Sequence, residues 1–201
     1  MTWDLLNIIG TLAFALSGVV VAMEERYDLM GVYILGFVTA FGGGAIRNLL
    51  IGVPVTALWG QGPLFMIAFV AITILFVFPK FLDRRGSMWG VFFDAIGLAA
   101  FATQGAIFAA DMGLPVSAAI AAAALTGTGG GMVRDLLAGR RPLFLQKEIY
   151  IAWTLLAGIP IGLGFITHPI GYGVIVVSIV VLRMLSVYYQ WRLPSRHLSD
   201  A

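Results

Sequence analysis

The chain of 201 residues is 60% hydrophobic and 11% charged, with mean hydropathy +0.98, whereas a soluble domain carries about 25% charged residues. Cysteine is absent, which excludes a disulfide framework, a thiol nucleophile and a thiolate metal site. The formal net charge of +2 matters less than where the Lys and Arg residues fall, and no nucleic-acid partner is expected.

A membrane span needs about 20 apolar residues, and seven segments qualify. The start, Met1-Thr2-Trp3-Asp4, lacks the basic region of a cleavable signal peptide, so the first apolar segment is expected to be retained as a span. That segment covers about Leu5 to Met23 and ends at Glu24-Glu25-Arg26-Tyr27-Asp28. The second runs about Leu29 to Ile51, and a Gly- and Pro-bearing stretch, Gly52 to Gly62, leads to the third, about Pro63 to Phe78. Lys80, Asp83, Arg84 and Arg85 close it. The fourth covers about Met88 to Ala110 and the fifth about Leu114 to Ala138, with Asp111-Met112-Gly113 between them. Gly139-Arg140-Arg141-Pro142 then breaks the chain. The sixth covers about Ile149 to Thr167, with a kink expected at Pro160. The seventh covers about Ile170 to Tyr189, followed by a short polar tail. The expected fold is an all-α membrane protein of seven transmembrane helices.

Charge sets the expected orientation. With seven spans, the loops after helices 1, 3 and 5 share a side with the C-terminal tail. Those regions hold Arg26, Lys80, Arg84, Arg85, Arg140, Arg141, Lys147, Arg192 and Arg196, nine of the 12 basic residues. Arg47, Arg134 and Arg183 fall inside spans, so the other side has none in its loops. The positive-inside rule then places the N-terminus outside and the C-terminus in the cytoplasm.

Two glycine triplets organise the chain. Gly42-Gly43-Gly44 is followed by Arg47, and Gly129-Gly130-Gly131 by Arg134, each within an apolar span. Glycine weakens a helix by roughly 1 kcal/mol per residue relative to alanine, and arginine is costly in hydrocarbon. Shifting the chain by 87 residues superposes the triplets and much else. Ile9-Gly10 falls on Ile96-Gly97, Ala13-Phe14-Ala15 on Ala100-Phe101-Ala102, Gly18 on Gly105, Thr39 on Thr126, and Gly52 on Gly139. Asn7 falls opposite Asp94, and Asn48 opposite Asp135. A repeat of three helices must invert its second copy. The chain therefore divides into a first repeat at 4–79, an inverted second at 88–167, a seventh helix at 169–189 and a cytoplasmic tail at 190–201.

Inverted repeats place shared sites near the midplane, where broken helices meet. Unwinding at the triplets frees carbonyls that suit cations or polar ligands, and exposes half-helix N-termini that favour negative groups. Arg47 and Arg134 then flank the constriction, with Asp94 and Asp135 as counter-charges. A plainer reading stands beside each assignment. The glycines let two helices approach closely, and Arg47, Arg134 and Arg183 snorkel to headgroups, the preferred reading for Arg183. Asp94 is a buried cap, and Phe14 and Phe101 are packing residues. Ser17, Gln104, Thr39 and Thr126 either line a pathway or bridge helices by hydrogen bonds. His168 and His197 carry no metal-ligand spacing, and no metal or cofactor is expected beyond permeating K⁺ or Na⁺. The alanine-rich face Ala118 to Ala124 permits close helix contacts.

Two runs carry a family resemblance. The first is Asn7-x-Ile9-Gly10-x-x-Ala13-Phe14-Ala15-x-x-Gly18 with Gly42-Gly43-Gly44-x-x-Arg47-Asn48. The second is Phe93-Asp94-Ala95-Ile96-Gly97 with Gly129-Gly130-Gly131-x-x-Arg134-Asp135. Together they resemble the prokaryotic branch of the trimeric intracellular cation channel (TRIC) family over nearly the whole chain. The resemblance implies a homotrimer in the bacterial inner membrane, with an hourglass pathway in each protomer. It also implies kinks at both triplets, passage of monovalent cations, K⁺ foremost, and an outside N-terminus. Asn7 and Asn48 depart from the pattern, in which many relatives carry Asp, so the first repeat lacks fixed negative charge. Many bacterial members also bear a glycine-transporter domain label.

Three function classes follow. The first is a cation channel constricted at the two triplets. The second is a carrier for a small zwitterion such as glycine, with arginine receiving the carboxylate and Asp94 or carbonyls the ammonium. An enzyme is not expected, because the chain has neither a nucleophile–base constellation nor an HExxH motif.

Overall fold

The computed structural model describes residues 2–79, 86–145, 149–191 and 193. Among them are seven α-helices and no strand: α1 Thr2–Glu24, α2 Leu29–Leu50, α3 Gly62–Val77, α4 Gly86–Asp111, α5 Val116–Leu137, α6 Leu155–Gly162 and α7 Pro169–Tyr188. Lys80, Arg84, Arg85, Lys147, Arg192, Arg196 and most of the tail, which the orientation expectation uses, lie outside the described residues.

Local chemistry sets the helix ends. Asp28 caps α2 by accepting the Gly31 N–H at 2.8 Å. Gly52 and Gly139 adopt φ of +74° and +69° just beyond α2 and α5. They turn the chain so that the Val53 N–H reaches Asn48 O at 2.9 Å and the Arg140 N–H reaches Asp135 O at 2.8 Å. A side chain at either position would meet left-handed strain of about 1 kcal/mol.

Six stretches are long and apolar enough to cross a bilayer: Trp3–Glu24, Leu29–Leu50, Val55–Val77, Met88–Asp111, Val116–Leu137 and Pro169–Tyr188. The sixth expected span is shorter than the sequence suggests. A 3-10 turn, Ile151–Thr154, runs into α6, giving an apolar helix of Ile151–Gly162 in place of about Ile149 to Thr167. Pro160 contributes no helical N–H, and Gly164 at φ +74° ends the helix. The Phe165 N–H closes on Pro160 O at 2.9 Å and the Gly164 N–H on Ile161 O at 3.0 Å.

Helices α1 and α4 form the buried centre, while α3 and α7 lie at the periphery. One apolar core joins α1, α2 and α3 through Val19, Leu35, Ala68 and Ile72. A second joins α4, α5, α6 and α7 through Leu98, Ala123, Ile161 and Ile179. Helix α7 turns Arg183 inward. The residue is 1% exposed and its guanidinium carbon lies 4.8 Å from the centre of the Tyr150 ring, so it is not a snorkelling anchor.

The glycine triplets correct the sequence reading most directly. Helices α2 and α5 run unbroken through them, so the expected unwinding and freed carbonyls are absent. The triplets instead bring the two helices together. A Cβ on Gly43 would collide with the carbonyl oxygen of Thr126, and one on Gly130 with the carbonyl oxygen of Thr39. Both collisions obey the 87-residue shift. The close-approach reading is the one the structure takes.

Candidate functional site

Phe14 and Phe101 pack edge to face beside this crossing, with ring centres 5.3 Å apart. The repeat supplies the space for both rings: Gly97 leaves room for Phe14 and Gly10 leaves room for Phe101. Thr39 and Thr126 are fully buried on the helices that cross there. The Thr39 hydroxyl donates to Leu35 O at 2.6 Å, whereas the Thr126 hydroxyl has no hydrogen-bond partner. A polar cluster lies on each side of the phenylalanine pair.

On one side, α5 carries Arg134 and Asp135 into the protein. Arg134 Nη1 donates to Asp94 Oδ1 at 2.8 Å and to Ser17 Oγ at 2.6 Å. Its Nε and Nη2 each reach Asp135 Oδ1 at 2.8 Å. Asp135 Oδ2 accepts the Leu143 N–H at 3.1 Å, and the Ser17 hydroxyl donates to Gly90 O at 3.2 Å. The absence of a side chain at Gly131 makes the convergence possible, since a Cβ there would lie 3.2 Å from Asp94 Oδ1 and 3.3 Å from the Tyr150 hydroxyl. Two carboxylates thus answer one guanidinium. A cavity of about 420 Å³ runs from this cluster to Glu24, Arg140 and Arg141 at the end of the bundle. There Arg140 bridges Glu24 at 2.9 Å and Glu25 at 2.6 Å. Partial burial works against the Arg140 charge, but the two carboxylates outweigh it and raise the arginine pKa.

The other side has the same backbone plan and different chemistry. Arg47 is buried on α2, and its Nε and Nη2 both donate to Asn48 Oδ1, at 3.1 and 2.9 Å. No ion pair reaches it among the described residues. Its guanidinium carbon instead lies 4.7 Å from the Phe108 ring centre and 5.7 Å from that of Trp3. Asn7 and Gln104 stand where the first side has Asp94 and Ser17, and they share a cavity of about 10 Å³ with Arg47.

The residues singled out in the sequence therefore fall into three groups. Ser17, Asp94, Arg134 and Asp135 meet directly. Asn7, Gln104 and Arg47 face one small cavity, and Asn48 holds Arg47. Phe14, Phe101, Thr39, Thr126 and the triplets Gly42-Gly43-Gly44 and Gly129-Gly130-Gly131 lie at or beside the helix crossing between them. Burial of Arg47 and Arg134 excludes the snorkelling reading for both. Asp94 and Asp135 both serve Arg134 and leave Arg47 without a carboxylate. Trp3, Phe108, Tyr150 and the Leu143 N–H also belong to these clusters, and the glycine and charge patterns do not mark them. Trp3 stands four residues before Asn7 and Phe108 four after Gln104, a same-face helical spacing that could have identified both. Among the described residues, no three His, Asp or Glu side chains gather to hold a metal ion.

The glycine-transporter family model matches the chain twice, over residues 4–80 and 91–166. The UPF0126 membrane protein YvgT of Bacillus subtilis is 59% identical over 196 residues, covering 98% of this chain and 97% of that one. A prokaryotic TRIC channel solved in 0.5 M KCl is 34% identical with a TM-score of 0.87, covering 95% of this chain and 98% of that one. The trimeric intracellular cation channel orthologue from Rhodobacter sphaeroides is 32% identical with a TM-score of 0.83, covering 94% and 98%. With two matches to the glycine-transporter model, a near-full-length relative and the same helical fold, the chain belongs to the prokaryotic TRIC family.

Proposed function

We propose that this protein is a monovalent cation channel, K⁺ foremost, with one pathway inside each protomer of a homotrimer in the bacterial inner membrane. Residues 4–79 and 88–167 act as two inverted repeats, with the N-terminus outside and the Arg134 cavity opening to the cytoplasm. The observation that carries the reading is the arrangement of two polar cavities on opposite sides of the Phe14–Phe101 pair and the glycine crossing. At the inner end of the larger cavity two carboxylates face one buried arginine, a local negative charge that draws cations, while Glu24, Arg140 and Arg141 line its outer part. Phe14 and Phe101 form the constriction, Thr39 and Thr126 lie beside it, and the triplets set its width. Lipid surrounds the apolar outer faces of α3 and α7. The relatives solved as cation channels at 34% and 32% identity support the same reading.

Purified protein in planar bilayers should give discrete K⁺ currents. Absence of currents together with saturable glycine uptake would transfer the assignment to the second reading, a carrier for a small zwitterion. That reading is favoured by the 420 Å³ cavity, which presents Arg134 beside Asp94 and Asp135 and has room for such a solute.

A further inference from the structure

We propose that the smaller cavity binds one monatomic anion of the halide class between the Arg47 guanidinium and the Gln104 amide. Arg47 is 5% exposed and forms no ion pair among the described residues. Buried arginine is ordinarily paired, because an uncompensated charge away from water is costly. Its Nε and Nη2 share a single neutral acceptor, Asn48 Oδ1. The C-terminal end of α2 contributes a partial charge of about −0.5, which offsets only part of the guanidinium charge.

A second donor without a partner belongs to a residue that lines the same space. Gln104 is 2% exposed, and its Nε2 is buried with no hydrogen-bond partner. Both residues line the cavity with Asn7, Thr11 and Gln61, and no carboxylate lines it. At the position 87 residues later, Asp94 and Asp135 compensate Arg134 from within the protein. Here the same places hold Asn7 and Asn48, so the missing negative charge has to come from outside. Charge and compactness together point to the ligand. A cavity of about 10 Å³ leaves room for one small body beside Arg47, and a halide is the most compact ligand that brings a full negative charge. Water would fit but leave the charge uncompensated. The site depends on the surroundings of Arg47 and not on the identity of the permeant.

The test uses the full-length protein crystallised with bromide, and ³⁵Cl NMR of the protein in nanodiscs. One bromide per protomer is expected between Arg47 and Gln104 by anomalous diffraction, together with chloride line broadening that bromide competes away. Asn48→Asp supplies the carboxylate that Asp135 provides in the other half, and should keep the fold while cutting the competed broadening by about tenfold or more. Gln104→Met should weaken binding with less disturbance than a change at Arg47. No bromide at this position, or one that Asn48→Asp leaves unchanged, overturns the proposal. So does bromide density without saturable broadening, which means binding at crystal concentration only. Absence of K⁺ currents would count against the channel reading and leave this result untouched.

Discussion

Arg134 and Asp94 lie 2.8 Å apart on α5 and α4, both almost wholly buried, whereas their counterparts Arg47 and Asn7 make no hydrogen bond to each other. The same backbone plan thus carries an internal ion cluster in one half and an isolated cation in the other. Next to the phenylalanine pair the protein is therefore electrostatically lopsided, with two buried carboxylates around one arginine on one side and a buried arginine without a carboxylate on the other.

The Arg134 cluster should be expensive to break from one side. Arg134→Ala leaves Asp94 and Asp135 facing each other in a buried site, a loss of about 3–5 kcal/mol. Asp94→Asn is milder, because Asp135 still holds the guanidinium at 2.8 Å. Replacing all three charges together (Arg134→Met, Asp94→Asn, Asp135→Asn) should recover most of the stability, since buried neutral groups cost far less to desolvate than unpaired charges. Thermal unfolding in detergent ranks the three proteins. A triple variant no more stable than Arg134→Ala would refute the account. K⁺ current should remain low in the triple variant even where stability returns.

The two glycine triplets make a prediction within a few residues of chain. Gly43→Ala and Gly130→Ala push a methyl group into a carbonyl of the facing helix, and should destabilise by about 1–3 kcal/mol or more. Gly44→Ala meets nothing closer than 3.7 Å, and Gly42→Ala nothing closer than 3.6 Å. Both should be neutral or gain up to about 1 kcal/mol in helix propensity. Equal effects at all four positions would show that the triplets act by breaking the helix and not by close approach.

That contrast also shows where the sequence was legible. Six of the span positions and the 87-residue glycine spacing are readable, because hydropathy and glycine spacing are local signals, whereas the sixth helix is shorter than hydropathy suggests. The state of the triplets is not legible from helix propensity alone, because the environment decides it. In hydrocarbon, a released carbonyl needs a replacement partner, so α2 and α5 keep their helical bonds and use the missing side chains for contact. Partner choice was also hidden. The shift pairs Asn7 with Asp94 and Asn48 with Asp135, but says nothing of which guanidinium each carboxylate reaches across the bundle. Tyr150 follows residues 146–148, and no periodicity marks it as buried.

Arg140 ties the end of α1 to the turn after α5 through Glu24 and Glu25. These groups are about one-third exposed, so the pairs are screened by salt and contribute little, roughly 0–1 kcal/mol in total. Arg140→Gln should barely move the unfolding temperature. It should, however, remove one positive charge from the mouth of the 420 Å³ cavity, where Glu24 also lies. K⁺ conductance at low ionic strength should rise relative to the unaltered protein, and the difference should vanish in high salt. A difference that persists in high salt would point to a shape change at the mouth.

Phe14 and Phe101 are each almost wholly buried, and their rings fill the spaces left by Gly97 and Gly10. Truncating either to alanine removes a large buried side chain, at a cost of about 3–5 kcal/mol if the gap stays empty. A gap between two polar cavities need not stay empty, because water entering from both sides would join them. Phe14→Ala and Phe101→Ala should therefore lose less stability than an isolated apolar cavity demands, and both should raise unitary K⁺ conductance. The two rings touch at 5.3 Å, so the double variant should depart from additivity. The first truncation removes most of the barrier, and the second adds little current. Phe14→Leu and Phe101→Leu, which keep the gap filled, separate the effects. If leucine variants conduct as well as alanine variants, the rings pack the fold and the barrier to ions lies elsewhere.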